Sequence, residues 1–130
     1  MTATWSASEL RAIDEAAELR IAVRGQDGSL RPAVPIWVVS TRGQVYIRTW
    51  YRRDGGWFGR VVSSRRARIT VGPVTADVTI EDVGAGSPEL RAAVDAAYQE
   101  KYARFGASVD RMIGDDAAAA TLSLTRVGEQ

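Results

Sequence analysis

The chain has 130 residues and a mass of 14.1 kDa, a length that predicts one domain spanning residues 1–130. Hydrophobic residues make up 45% and charged residues 25%, proportions typical of a globular protein and not of a disordered one. The sequence contains no histidine and no cysteine, which excludes a Ser-His-Asp triad, a thiolate nucleophile, a disulfide and the usual zinc sites.

The formal net charge of +1 is the sum of two unlike parts. Eight arginines lie between positions 42 and 68, where Asp54 is the only acid, so this window carries +7 and the remainder carries −6. A positive charge confined to so short a stretch favours a pocket for one phosphate or carboxylate. The acidic remainder argues against nucleic acid as a partner.

The N-terminal residues lack the basic start and apolar stretch of a secretory signal. No apolar run approaches the roughly 18 residues that a membrane-spanning helix needs. The sequence therefore predicts a cytoplasmic protein without a membrane segment.

The first half of the chain begins with a helix, because Ser6 and Glu9 have the spacing of a capping box. Trp5 and Leu10 flank that box at the positions of a hydrophobic staple. Hydrophobic patterning then predicts three strands, of which the second is apolar on both faces and therefore expected to be central: Leu19–Val23, Pro35–Ser40 and Val45–Thr49.

The second half has one strongly marked helix, which begins at the cap Ser87-Pro88, has an apolar face at i, i+4 spacing and ends at Gly106. The other predicted elements are a short helix, a hairpin of two strands, a helical turn and a final strand: 57–64, 67–71, 74–83, 109–113 and 120–127. About six strands with short connections and two or three helices predict an α+β fold built on a small antiparallel barrel.

The arginine window supplies the candidate binding residues. On the strand Val45–Thr49, Arg48 shares a face with Tyr46, and Thr49 follows with a hydroxyl group. Guanidinium groups suit phosphate or carboxylate, and aromatic rings suit flat ligands, so the pattern fits a nucleotide, a flavin or single-stranded RNA. Further cations and rings follow in the chain: Trp50, Tyr51, Arg52, Arg53, Trp57, Phe58 and Arg60.

A purely structural interpretation of the same residues stays open. The aromatic side chains can be core or interface anchors, with the arginines as their solvated rim. Trp37 lies in the doubly apolar strand, which favours a place in the core. It is also one of five candidate walls of a substrate pocket: Trp37, Tyr46, Trp50, Tyr51 and Trp57.

The chain resembles the flavin-binding split barrels in three segments: 35–39, 43–49 and 68–72. These barrels include pyridoxamine-phosphate-oxidase-like proteins and deazaflavin-dependent nitroreductases. Over nearly its full length, the chain is also similar to a small bacterial family of unknown function. The split-barrel resemblance implies a homodimer that binds FMN or F420. It places the cofactor phosphate on Arg48 and Thr49, joined by Arg60, and the arginine window adds Arg52 as a further cofactor-binding candidate.

Two functions follow as expectations. The resemblance implies a cytoplasmic oxidoreductase whose cofactor supplies the hydride chemistry for a small organic substrate, so a chain without histidine or cysteine is no obstacle. The alternative is a cofactor-free protein, either a small-molecule binder or a biosynthetic accessory enzyme, whose barrel pocket holds an anionic aromatic metabolite.

Overall fold

The computed structural model describes residues 2–49, 56–84 and 86–127. Eight strands form one sheet: β1 (Thr2–Ala3), β2 (Leu19–Val23), β3 (Val34–Ile36), β4 (Val39–Thr41), β5 (Gln44–Arg48), β6 (Arg66–Val71), β7 (Val74–Asp82) and β8 (Thr121–Val127). Five α-helices accompany it: α1 (Ala7–Glu15), α2 (Gly56–Ser64), α3 (Pro88–Tyr102), α4 (Ala107–Met112) and α5 (Asp115–Ala119), with a 3₁₀ turn over Ala103–Phe105.

All strand pairings are antiparallel, in the order β3-β2-β6-β7-β8-β5-β4, and β1 pairs with β8. The two ends of this order, β3 and β4, are separated in sequence only by Trp37 and Val38. Two residues span at most about 11 Å between the flanking Cα atoms, so the sheet must curl until its end strands are neighbours. The result is a split barrel, which confirms the predicted α+β fold class.

The strand predicted over Pro35–Ser40 is wrong in two respects. The structure divides it into β3 and β4, and these lie at the ends of the strand order, not at its centre. The segment is apolar on both sides for another reason: Val38 packs inside the barrel, whereas Val39 packs beneath helix α3. A helix, not a neighbouring strand, covers its second face.

Two apolar clusters stabilise the fold. The first fills the barrel, where Phe58 and Val61 of α2 pack with Ile13 of α1 and with inward-facing strand residues. The second lies between the outer face of β4 and β5 and the helices α3 and α4, and Tyr98 and Tyr102 are its largest side chains. Strand β5 therefore has one face in each cluster, because successive side chains alternate.

Helix α1 begins as the sequence predicts. The side chain of Ser6 accepts a hydrogen bond from Glu9 N, and Glu9 Oε1 accepts one from Ser6 N at 2.8 Å, which completes the capping box. Trp5 is buried, and its Nε1 donates to the carbonyl oxygen of Leu124 on β8 at 3.0 Å. The bond from Trp5 therefore holds the start of α1 against the barrel.

Candidate functional site

Arg48 is the central charged residue of the candidate site, and its side chain is fully buried. It follows Tyr46 on the outer face of β5, opposite Thr121 of β8. Its Nε donates to Thr121 Oγ1 at 2.8 Å, and its Nη1 donates to Asp95 Oδ1 at 2.5 Å and to the carbonyl oxygen of Met112 at 2.9 Å. The guanidinium thus joins β5, β8, α3 and α4.

Asp95 neutralises this buried charge and links it to the surface. Its other oxygen, Oδ2, lies 3.5 Å from Arg91 Nε, one helical turn earlier on α3. Arg91 Nη2 in turn lies 2.8 Å from Asp115 Oδ1, and this contact is the main reason that the pKa of Arg91 is raised. Two arginines and two aspartates therefore form a neutral network behind the site.

One donor of Arg48 has no partner. Among the residues that the structure describes, nothing accepts a hydrogen bond from Nη2, although this atom is buried. A buried donor without a partner costs about 1–3 kcal/mol, so such atoms usually face a ligand or an ordered water. Arg48 also borders a cavity of about 300 Å³, lined by Glu18, Pro35, Ile36, Trp37, Arg48, Thr49, Ser108 and Met112.

Trp37 forms an aromatic wall of this cavity. Its ring stacks on that of Tyr102, with centroids 4.1 Å apart and planes within 2°, and Phe105 lies against it at 5.2 Å. Trp37 is half-buried and packs at the edge of the second apolar cluster. Trp37 thus lies at the edge of the core and on the cavity, and its part in a substrate pocket stays a prediction.

The structure brings three of the predicted site residues, Arg48, Thr49 and Trp37, to one cavity. Tyr46 is instead buried beneath α3, and burial raises the pKa of its phenol. Arg60 is exposed on α2. The apolar side of α2 packs inside the barrel, whereas Arg48 lies on the outer face of β5, so the two arginines belong to different sides of the sheet. Three other predicted positions lie outside the described residues: Trp50, Tyr51 and Arg52. Trp57 lies on α2, but its side chain is not among those described.

Asp95 and Ser108 are site residues that the sequence did not single out. Asp95 directly follows the buried Val94, so a carboxylate beside the apolar stripe of α3 was the available signal. Ser108 lies on α4, and no sequence pattern predicts that this short helix borders β5. Both come to Arg48 through the packing of helices on the outer face of the sheet.

Two classes of site are not found in the described part of the chain. No group of three or more acidic side chains is arranged to hold a metal ion there. Within the same residues, every helix is too short or too polar to cross a bilayer.

The curled antiparallel sheet with helices on its outer face defines the chain as an α+β split barrel. A family model described as "Uncharacterized protein conserved in bacteria (DUF2255)" matches residues 9–124, and the chain belongs to this family. The comparison confirms the resemblance to a bacterial family of unknown function. No curated protein matches the sequence.

Three solved structures share the fold at low sequence identity. The conserved hypothetical protein Rv2991 from Mycobacterium tuberculosis is 14% identical, with a TM-score of 0.63 over 99% of this chain and 83% of its own. A putative 5-nitroimidazole antibiotic resistance protein from Bacteroides thetaiotaomicron is 13% identical, with a TM-score of 0.60 over 99% and 84%. An FAD-binding protein from Mesorhizobium loti is 16% identical, with a TM-score of 0.56 over 100% and 94%.

Proposed function

We propose that the chain binds a flavin-type cofactor, FMN or F420, through the cavity beside Arg48 and acts as an oxidoreductase on a small organic substrate. The observation that carries this proposal is the buried Nη2 of Arg48, a cationic donor without a partner among the described residues, in a residue that borders a cavity. Charge-assisted hydrogen bonds to phosphate are among the strongest that a guanidinium makes. A phosphate oxygen is therefore the partner that this atom suits best.

The residues around Arg48 fit the phosphate end of such a cofactor. Thr49 and Ser108 bring two hydroxyl groups to the same cavity, and hydroxyls readily bind phosphate oxygens. Asp95 already balances the charge of Arg48, so a bound dianion gains less from Coulomb attraction than from directed hydrogen bonds. We therefore expect affinity to depend on the hydroxyls as well as on the guanidinium.

The aromatic wall suits the planar part of the ligand. The ring of Trp37 is held rigidly by its stacking on Tyr102, so little conformational entropy is lost when a flat ligand packs against it. When bound, a flavin or deazaflavin supplies hydride transfer, which this chain has no other group to perform. The protein's own contribution is to bind the phosphate and orient the ring.

The cavity is too small to enclose a whole cofactor, so further residues must complete the binding site. At about 300 Å³ it lies at the lower end of the range for ligand pockets, roughly 300–1,000 Å³, and holds only part of a flavin nucleotide. We propose that a second copy of the chain completes the cleft in a homodimer. Light scattering after gel filtration tests this directly, since a monomer in the presence of cofactor contradicts it.

The similarity to the FAD-binding protein of Mesorhizobium loti supports the proposal, because that protein has the same fold over nearly the same length. The decisive experiment is the visible absorption spectrum of the native protein, with mass spectrometry of whatever denaturation releases. A flavin or deazaflavin in stoichiometric amount is the expected result. A colourless protein that neither cofactor stabilises against heat contradicts the proposal.

The small cavity also favours a second candidate function, which is cofactor-free binding of an anionic aromatic metabolite. One aromatic ring with one carboxylate fits about 300 Å³, with the ring beside Trp37 and the carboxylate at the end of the cavity that Arg48 borders. This candidate predicts that small aromatic acids quench tryptophan fluorescence and that flavins do not. Quenching by both would favour the flavin site, because its phosphate end accepts the same anions.

A further inference from the structure

A second cavity, of about 420 Å³, lies on the other side of the segment that joins β3 to β4. It is lined by residues of α1, β4 and α3, and by none that line the cavity beside Arg48: Asp14, Val39, Ser40, Ala97, Glu100 and Lys101. Lys101 is the only lysine in the sequence. The two cavities therefore have separate linings, although Tyr102 contacts both Lys101 and Trp37.

The amino group of Lys101 is held in a defined orientation. Nζ donates to the carbonyl oxygen of Ile13 at 2.7 Å and to that of Val38 at 2.7 Å, and neither residue lines the cavity. Nitrogen is tetrahedral, so two fixed N–H bonds and the Cε bond leave one remaining direction. Lys101 itself lines the cavity, so this amino group belongs to a side chain on the cavity wall. In the neutral amine, this fourth direction of Nζ holds the lone pair.

Groups that can transfer protons line the same cavity as the amine. Asp14 of α1 and Glu100 of α3 place two carboxylates on the cavity wall, and Ser40 of β4 donates to Asp14 Oδ1 at 2.6 Å. The ring of Tyr102 lies 5.2 Å from Nζ. Burial lowers the pKa of Lys101 to about 8, partly offset by the charge of Asp14, so a substantial fraction of the amine is neutral in mildly alkaline solution.

We propose that Lys101 is a covalent binding site for a small neutral aldehyde, which condenses with Nζ to an imine inside this cavity. The lone pair of Nζ forms a bond to the carbonyl carbon, and the carbonyl oxygen takes a proton, which gives a carbinolamine. That oxygen then leaves as water with the second nitrogen proton, and the C=N bond remains. Asp14 and Glu100 carry the protons between nitrogen and oxygen.

The charge of the cavity selects the class of aldehyde. Two carboxylates face one amine, so an anionic carbonyl compound such as an α-keto acid meets like charges on the wall. A neutral hydroxyaldehyde avoids this repulsion, and its hydroxyl group can donate to either carboxylate. We therefore expect glycolaldehyde to react and glyoxylate, an aldehyde that bears a carboxylate, to be disfavoured.

The test is reductive trapping of the folded wild-type protein with glycolaldehyde and cyanoborohydride between about pH 6 and pH 11.5, a range that covers the ordinary pKa of lysine. Peptide mass spectrometry separates an adduct at Lys101 from one at the α-amino group, the only other aliphatic amine. We expect the labelling rate at Lys101 to reach half its maximum near pH 8. In the same protein unfolded in guanidinium chloride, this midpoint should move to about pH 10.4.

A matched variant separates the site from ordinary lysine reactivity. Arg66 is exposed on β6, so Lys101→Arg combined with Arg66→Lys leaves one exposed lysine in place of the half-buried one. At pH 8 this lysine should be labelled at least about tenfold more slowly than Lys101, because only about 0.4% of an ordinary lysine is neutral there. It should also show a smaller preference for glycolaldehyde over glyoxylate.

The opposite results overturn the proposal. If Lys101 reacts no faster than the exposed lysine, or if its rate rises only near pH 10, its amine serves solely to hold the two carbonyl groups. Equal preference between the two aldehydes at both lysines would likewise overturn the selection by charge. The unfolded wild-type control keeps these results interpretable even if the double variant folds poorly.

Discussion

Arg48 Nη1 and Asp95 Oδ1 lie 2.5 Å apart, and this ion pair joins strand β5 to helix α3 directly behind the candidate cavity. The side chain of Arg48 is fully buried, whereas that of Asp95 is 23% exposed. A buried cation depends on its partner, because loss of that partner leaves an uncompensated charge away from water. The pair therefore links the stability of the fold to the geometry of the site.

Asp95→Ala should destabilise the protein strongly. Removing one partner of a buried ion pair costs about 3–5 kcal/mol, and the remaining contacts of Arg48 to Thr121 and Met112 do not neutralise its charge. Urea denaturation measures the loss. Arg91→Ala is the matched control on the same helix, and because Arg91 is one-third exposed its removal should cost much less than that of Asp95. Equal losses would show that Arg48 is not buried as a charged group.

Arg48→Lys should separate stability from ligand binding. A lysine can keep one bond to Asp95, but it lacks the fork that presents Nε, Nη1 and Nη2 to different partners. We expect about tenfold weaker binding of FMN or F420, together with a loss of stability that urea denaturation measures separately. Unchanged affinity in a folded Arg48→Lys protein would show that Nη2 does not contact the ligand.

The stability of the protein should rise between pH 8 and pH 10. The pKa of Lys101 is about 8 in the folded protein and 10.5 when exposed, so within this window the unfolded chain binds more protons than the folded one. Stability increases with pH wherever the unfolded state binds more protons. The shift alone corresponds to about 2 kcal/mol over this window, and because solvent screens the half-buried amine we expect a smaller gain, measured by urea denaturation at fixed pH values.

Above pH 10 two buried tyrosines reverse this trend. Burial raises the pKa of Tyr102 to about 12 and that of Tyr98 further, so the unfolded chain ionises at these positions while the folded chain does not. Lys101→Met should abolish the rise between pH 8 and pH 10 and leave the decline above pH 10. A rise that persists in Lys101→Met would assign it to another group.

Arg42→Asn should stabilise the hairpin between β4 and β5. This two-residue turn places Arg42 at φ 57° and Gly43 at φ 75°, and a left-handed conformation costs an ordinary side chain about 1–2 kcal/mol. Asparagine followed by glycine is the preferred pair for such a turn. We expect a gain of about 0.5–1 kcal/mol by urea denaturation, with Gly43→Ala, which introduces a side chain at positive φ, as the destabilising counterpart.

Local sequence signals predicted local structure well. The capping box at Ser6 and the proline at the start of α3 mark where those helices begin, and β2 occupies Leu19–Val23 as predicted. Such signals act over a few residues, so they do not depend on tertiary packing. The fold class followed from the alternation of short strands and from the resemblance.

The sequence could not predict what packs against each strand. Alternation placed Arg48 and Tyr46 on one face of β5, but only the packing of α3 and α4 makes that face buried. For the same reason the segment around Val38 resembled a central strand, although a helix covers it. Lys101 likewise gave no local signal, because its partners Ile13 and Val38 are distant in sequence.

The most direct test of the central claim is an equilibrium titration of the protein with FMN and with F420, followed by cofactor fluorescence. We expect at least one cofactor to bind saturably at micromolar concentrations, and Ser108→Ala, which removes a hydroxyl from the cavity, to weaken it about tenfold. Ser63→Ala, on the exposed side of α2, should bind as the wild type does. Absence of saturable binding by either cofactor up to roughly 100 µM would contradict the account.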